Sequence, residues 1–333
     1  MDAISVKRIE WVDVAKGIGI FLVVLGHTSA QLRNLIYGFH MPLFFFLSGV
    51  VFNREKYSIN DFVKNRFNTL ILPYIFFYVL TYVYWLLIER SMRSFDCDWW
   101  QPILGLFYGS QWHDLMILNG ILWFLPCLFL TQLIVYMATG VRNRILMIFI
   151  LVACVIIGLQ FEDNLPWGLN IALVASQFFF IGWVVKKTRP LKFDKKWLSI
   201  LCAIVLFFFY VIGKMRFHNE VNMGECIYSN VYLFEIFSYI GITGTILLSA
   251  VIGLPTNRIL TWLGKNSLVI FAIHQPVSRI IRFIVERTIN GIDVQQNVLL
   301  SILVTIVILF VLWPLVLMYN KYCKPLLEKI YIH

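Results

Sequence analysis

Long apolar runs separated by short polar links dominate the chain. Runs of about the ~20 residues that cross a hydrocarbon layer fall near 14–31, 39–53, 67–89, 115–139, 144–160, 168–186, 197–214, 229–252, 266–285 and 297–320. Backbone polar groups in lipid must be satisfied within the segment, so each run is read as a helix. The pattern predicts an all-α, polytopic membrane bundle of about ten transmembrane helices. Pro42, Pro73, Pro126 and Pro276 fall within these runs and predict kinks, which membrane helices tolerate. The second run is the shortest and needs its flanks to span. No Ser/Pro-rich linker, low-complexity tract or internal repeat interrupts the pattern, so residues 1–333 read as one membrane domain with no separate soluble domain. The opening MDAISVKRIEWVDVAK lacks the short apolar core and cleavage site of a removable leader, so the first helix is expected to be retained.

Composition agrees with this reading. Hydrophobic residues make up 60% of the 333 and charged residues only 14%, more apolar surface than a water-soluble fold can hide. The net charge of +10 would otherwise suggest an acidic partner such as nucleic acid, but in a polytopic protein basic residues first report orientation. With both termini placed in the cytoplasm, the inside segments hold 20 of the 28 basic residues: Lys7, Arg8, Lys16, Arg54, Lys56, Lys64, Arg66, Arg142, Arg144, Lys186, Lys187, Arg189, Lys192, Lys195, Lys196, Arg258, Lys265, Lys321, Lys324 and Lys329. The outside segments hold Arg33, Arg90, Arg93, Lys214, Arg216, Arg279, Arg282 and Arg287. That bias favours cytoplasmic termini and leaves no call for a nucleic-acid partner. The six cysteines show no CxxC and no metal-ligand spacing, so no metal is expected. Cys97 and Cys226 both fall in outside links, where a disulfide is open in an oxidising compartment.

The candidate chemistry lies in the few polar residues inside apolar runs. An ionisable group deep in a bilayer is costly unless neutral, paired or facing a polar cavity. His27 stands near the middle of its predicted span, and Lys16 precedes it by eleven residues, nearly the same helix face with a rise of ~16 Å. A neutral histidine bonded to another helix and a catalytic histidine both fit these residues. His40, at the outer start of the second span, and His274, deep in the ninth, carry the same two readings, whereas His113, His218 and His333 fall in loops or the tail. Asp13, three residues before Lys16, fits a helix-surface ion pair; fourteen residues, or ~21 Å of helix, keep it from being the carboxylate partner of His27. Lys64 and Arg66 fit a positive-inside anchor, and Trp123 with Phe124 an aromatic belt. Glu235, within the eighth span, needs a partner or a proton.

In order, KRIEWVDVAKGIGIFLVVLGH, FHMPLFFFLSG, the LPY after Arg66, LWFLPCLF and LGKNSLVIFAIHQPV resemble the acyltransferase 3 family of bacterial membrane O-acyltransferases. The chain is particularly similar to its fucose 4-O-acetyltransferase-like branch. The resemblance runs from about residue 5 to residue 320. It implies transfer of an acyl group, usually acetyl from acetyl-CoA, to a hydroxyl of a cell-surface glycan, in the inner (plasma) membrane of a bacterium. The family's basic residue and following histidine fall on Lys16 and His27, which implies a catalytic role for both. Where the family often has a second basic residue after the one matched by Arg66, this chain has Thr69 and Leu70, a departure at the implied phosphate-binding surface.

These residues define a set of expectations. Lys16, Arg66 and Asp13 are expected around acetyl-CoA at the cytoplasmic mouth, with the pantetheine arm running along the Lys16 face toward His27. His27 is expected to act as a base on the acceptor hydroxyl or as a nucleophile forming an acyl-imidazole. His40, Trp123 and His274 are expected to bind the acceptor. Expected partners are acetyl-CoA, a glycan or sugar acceptor and membrane lipid, with a homo-oligomer left open and no nucleic acid. Two other classes compete: a glycan or lipid-linked sugar transporter, which would not consume acetyl-CoA, and a ligand-sensing membrane module, which would bind it without turnover.

Overall fold

The computed structural model describes residues 10–92, 97–187, 195–252, 257–289 and 291–330. Lys7, Arg8, Arg93, Arg189, Lys192 and His333 lie outside the described residues. The described chain is all-α apart from one two-stranded antiparallel hairpin, Val221–Asn222 with Ile227–Tyr228. Its helices are α1 (Glu10–Thr28), α2 (Ala30–Tyr37), α3 (His40–Val51), α4 (Ile59–Glu89), α5 (Gln101–Tyr108), α6 (Gly120–Ala138) and α7 (Arg144–Gly158). They continue as α8 (Pro166–Lys186), α9 (Lys196–Phe217), α10 (Val231–Ile252), α11 (Arg258–Lys265), α12 (Ser267–Thr288) and α13 (Val298–Lys329).

Among the described residues, nine of the ten expected spans are matched by a helix or bent helix pair long and apolar enough to cross a membrane, and one is not. Eight helices are long and apolar enough to cross a membrane, and the α2–α3 pair, bent by 41°, forms a ninth. The remaining run, 144–160, forms α7 with 15 residues, or ~22 Å, short of the ~30 Å hydrocarbon core. The sharp bend near Pro42 lies before it, between Tyr37 and His40; Pro42 itself sits in the first turn of α3, where its missing N–H leaves no bond unmade. Pro73 is accommodated differently. The turn before it, Phe67–Ile71, widens to a π-helix, with Leu72 N–H bonding Phe67 O, which relieves the clash a proline ring makes with the carbonyl four residues back.

Contacts between helix ends define two faces. On one, Lys186 Nζ donates to Phe52 O at 2.8 Å, Arg54 Nε to Tyr136 O at 3.3 Å and Asn320 Nδ2 to Asn266 Oδ1 at 2.8 Å. On the other, Arg279 pairs with Glu89 at 3.1 Å, Lys214 Nζ donates to Asn34 Oδ1 at 2.9 Å and Gln31 Nε2 to Gln296 O at 2.6 Å. The start of α1 packs on α11 beside Asn266, so both ends of the described chain lie on the first, Lys16-bearing face.

Close glycine contacts set the position of the central helices. A Cβ built on Gly264 would strike the carbonyl of Asp13, and one on Gly17 the carbonyl of Leu260. The same reciprocity joins α3 to α8, where Gly49 faces the Phe179 carbonyl and Gly182 the Phe46 carbonyl. Lipid gives no hydrophobic drive between helices, so such backbone-to-backbone approach supplies much of the packing contact. The outward surfaces carry the apolar side chains expected against lipid, including Leu87, Phe149 and Phe310.

The eight-residue α2 is too short to be stable alone and is pinned from several sides. Ser29 caps it by accepting from Leu32 N–H, Tyr210 OH donates to Leu35 O, Lys214 reaches Asn34, and Ser238 Oγ donates to Gly38 O at 3.0 Å. Glu235 meets Gln177 Nε2 at 2.7 Å, and Tyr239 OH donates to the same glutamine at 3.3 Å; this cluster borders neither cavity described below. Cys97 and Cys226 are both free thiols, so the disulfide left open above is not formed. Cys226 Sγ donates to Asn164 Oδ1 at 2.8 Å and accepts from Asn170 Nδ2, tying the hairpin to the α7–α8 link and to the start of α8. Burial pushes its thiol up to about 11, which keeps it the protonated donor this bond requires.

Candidate active site

Two cavities lie on opposite sides of one aromatic side chain. The first, about 290 Å³, opens on the Lys16 face and is lined by Lys16, Ser48, Arg66, Thr69, Gln132 and Ser267 among apolar walls that include Phe44, Phe124 and Phe271. The second, about 250 Å³, lies on the opposite side. It is lined by His27, Arg33, Tyr37, His40, Gln111, Trp123, Asn222, Glu225 and Gln275, and again by Phe271.

The first cavity is suited to an anion. Its lining carries two cations and no carboxylate. The guanidinium of Arg66 stacks over the Phe62 ring at 5.3 Å, and Phe62 stacks on Tyr136 at 4.4 Å, which fixes the arginine's plane. Arg66 Nε and Gln132 Oε1 are buried with no hydrogen-bond partner, an arrangement that is costly unless a ligand completes it. Thr69 and Leu70, the departure from the family pattern, lie on the widened turn Phe67–Ile71 and line this cavity. At that turn the cavity offers a neutral hydrogen-bonding group, Thr69, facing a lining that also holds Gln132, Ser48 and Ser267. Asp13 is elsewhere. It is buried against α11 and does not line the cavity, so the structure does not place its carboxylate on a ligand there. Lys64 is exposed and also borders neither cavity.

The second cavity collects the histidines. Helix α1 ends at Thr28, so His27 occupies its last turn, later in the helix than the sequence reading of a mid-span residue. Its Nδ1 lies 3.3 Å from Tyr37 OH, and its ring is 5.3 Å from that of His274. Tyr37 in turn stacks toward His40 with ring centroids 4.9 Å apart. His40 Nδ1–H donates to Ile36 O at 3.0 Å and His274 Nδ1–H to Phe271 O at 2.8 Å. Both rings therefore hold their proton on Nδ1 and present Nε2 as an acceptor. His274 is 0% exposed, and its Nε2 is buried without a hydrogen bond. It stands behind His27 and outside the cavity lining, so direct contact with an acceptor, expected from the sequence, is not available to it here. Trp123 and His40 do line the cavity, as an acceptor contact requires.

The sequence reading missed Tyr37, whose hydroxyl lies 3.3 Å from His27 Nδ1. Its only sequence signal is its place three residues before His40 in the YGFH stretch, and the two are brought together by the bend between α2 and α3 rather than by a shared helix face. Arg33, Gln111, Glu225 and Gln275 were missed as well, because they come from four separate elements whose meeting depends on the fold. Lys16 and His27 do not share one chamber. Each belongs to a different cavity, with Phe271 between them.

The family model described as an acyltransferase domain matches residues 9–317. The chain belongs to the acyltransferase 3 family and is a multi-pass membrane acyltransferase. Comparison with curated proteins and with solved structures finds no match.

Proposed function

We propose that this protein moves an acetyl group from acetyl-CoA, bound at the Lys16 face, to a hydroxyl of a sugar or glycan acceptor held in the His27 cavity. The observation that carries this reading is the pair of cavities meeting at Phe271, one lined by Lys16 and Arg66 with no carboxylate, the other by His27 and His40 together with Arg33 and Glu225. The Lys16 face is assigned to the cytoplasm of a bacterial inner membrane on the charge bias of the sequence. Lys16 and Arg66 neutralise phosphates of CoA there, and the pantetheine arm points toward Phe271 and His27. The acceptor fits the polar second cavity, where Trp123 offers a flat face for a sugar ring and His40, Gln111 and Gln275 offer hydrogen bonds.

The chemistry follows from the tautomers. The reaction uses the tautomer in which His27 holds its proton on Nδ1, toward the Tyr37 oxygen 3.3 Å away, and presents the Nε2 lone pair to the acceptor. The acceptor oxygen attacks the thioester carbonyl while Nε2 takes its proton. The carbon–sulfur bond breaks, and the imidazolium returns the proton to the departing CoA thiolate. The His274 ring, 5.3 Å away and buried, packs behind His27 and helps hold the orientation of its imidazole. A covalent acetyl-His27 intermediate would instead release CoA before acceptor enters.

The test is acceptor-dependent release of free CoA from acetyl-CoA by the purified protein supplied with cell-envelope glycan. Arg66→Ala is expected to raise KM for acetyl-CoA about tenfold to hundredfold with little change in kcat, since a charge-assisted hydrogen bond contributes ~1.5–3 kcal/mol. Arg66→Lys should recover part of that loss. An unchanged KM in Arg66→Ala would remove the first cavity as the CoA site, and glycan binding without acetyl-CoA consumption would point to a transporter.

A further inference from the structure

The two cavities share Phe271, and its surroundings define what it does. The ring is 5% exposed and sits between Phe124, at 5.3 Å, and His274, at 6.2 Å between centroids. Phe124 continues the partition to Phe45 at 5.0 Å and Phe44 at 6.1 Å. The backbone on both sides of the ring is held. Phe271 O accepts from His274 Nδ1, and the carbonyl of Ala272 accepts from the buried Asn119 Nδ2 at 2.9 Å. Movement at this point is therefore confined to the side-chain torsions, and each flanking cavity has the volume to receive the ring.

We propose that Phe271 is the seal between the donor and acceptor chambers: closed, it separates them, and rotation of its ring opens the passage through which the acyl-pantetheine arm reaches His27. This rests on the two-chamber reading above. The barrier follows from the chemistry: without it, water entering from the acceptor side would meet the thioester beside a basic imidazole and hydrolyse it. Because Phe271 also anchors His274 through its carbonyl, opening is achieved without disturbing the ring behind His27.

The test reads sidedness directly in sealed membrane vesicles, right-side-out and inverted, made from cells producing the full chain. Ser48→Cys reports the first cavity and Gln275→Cys the second. Each is treated with a membrane-impermeant methanethiosulfonate cation, and modification is read by the mass of the peptide containing the introduced cysteine. With Phe271 present, each cysteine is expected to react from one side only, and from opposite sides. Adding Phe271→Ala should make both react from either side and should raise acceptor-free CoA release from acetyl-CoA roughly fivefold, as the vacated ring volume admits water. Phe271→Leu, which keeps an apolar side chain, is expected to leak to an intermediate degree and carries the test if the alanine variant does not accumulate. Reaction from both sides already with Phe271 in place, or unchanged sidedness in both variants, would overturn the proposal. Labelling needs no acyl transfer, so turnover with unchanged sidedness removes the seal alone, while lost sidedness in a protein that never consumes acetyl-CoA removes the enzymatic reading alone.

Discussion

His27→Ala is expected to lower acceptor-dependent CoA release by about 10²–10⁴-fold, the range that a positioned general base contributes, while leaving acetyl-CoA affinity nearly unchanged. The two parts of this expectation come from separate places in the structure. His27 lines the second cavity with Tyr37 at 3.3 Å from Nδ1, whereas Lys16 and Arg66 line the first. Steady-state kinetics together with calorimetric titration of acetyl-CoA separate them. His27→Gln, which keeps a polar side chain but no base of comparable strength, should fail in the same way. Retention of more than about a tenth of wild-type turnover in His27→Ala would leave too little rate for general-base catalysis by this residue.

The second large effect lies away from the chemistry. Gly264→Val is expected to destabilise the protein by at least the ~1–3 kcal/mol typical of an overpacked contact, because the added carbons meet the backbone carbonyl of Asp13 and no rotamer avoids a main-chain atom. The clash acts on α1, the helix that carries both Lys16 and His27. Activity should therefore fall further than stability alone accounts for, with both KM and kcat affected. Thermal unfolding in detergent, followed by size-exclusion profile and tryptophan fluorescence, measures the first part. Gly264→Ala, with a single methyl against the same carbonyl, should show the same direction to a smaller degree. A Gly264→Val protein with wild-type melting and kinetics would mean that α1 and α11 do not approach as closely as described.

The helical framework was legible because lipid simplifies the rules: a continuous apolar run must be a helix, and its length alone locates it. The reading failed where length was marginal. The 39–53 run needed α2 as a bent extension, and the bend came at Gly38–Phe39, where a Cβ on Gly38 would meet the Tyr210 hydroxyl, a contact from a helix more than 170 residues away in sequence. No local pattern encodes that. Of the residues that line the two cavities, His27, Lys16, Arg66, His40 and Trp123 were singled out in the sequence because polar or amphipathic groups are conspicuous in apolar runs. The helix geometry also ruled Asp13 out as the partner of His27, and the structure supplies Tyr37 in its place. What periodicity could not show was the division into two chambers. The shared helix face of Lys16 and His27 suggested one continuous route, but the partition is made by Phe271, an ordinary apolar residue in an apolar run that the sequence gives no reason to single out.

Donor and acceptor are expected to meet from opposite faces of one membrane enzyme. Radiolabelled acetyl-CoA supplied outside sealed vesicles, followed by isolation of the surface glycan, tests it most directly. Inverted vesicles, which on the proposed orientation expose the Lys16 face, are expected to incorporate label into the glycan, right-side-out vesicles are not, and His27→Ala should abolish incorporation. Incorporation from right-side-out vesicles only, or glycan movement across inverted vesicles with no acetyl-CoA consumed, would contradict the account.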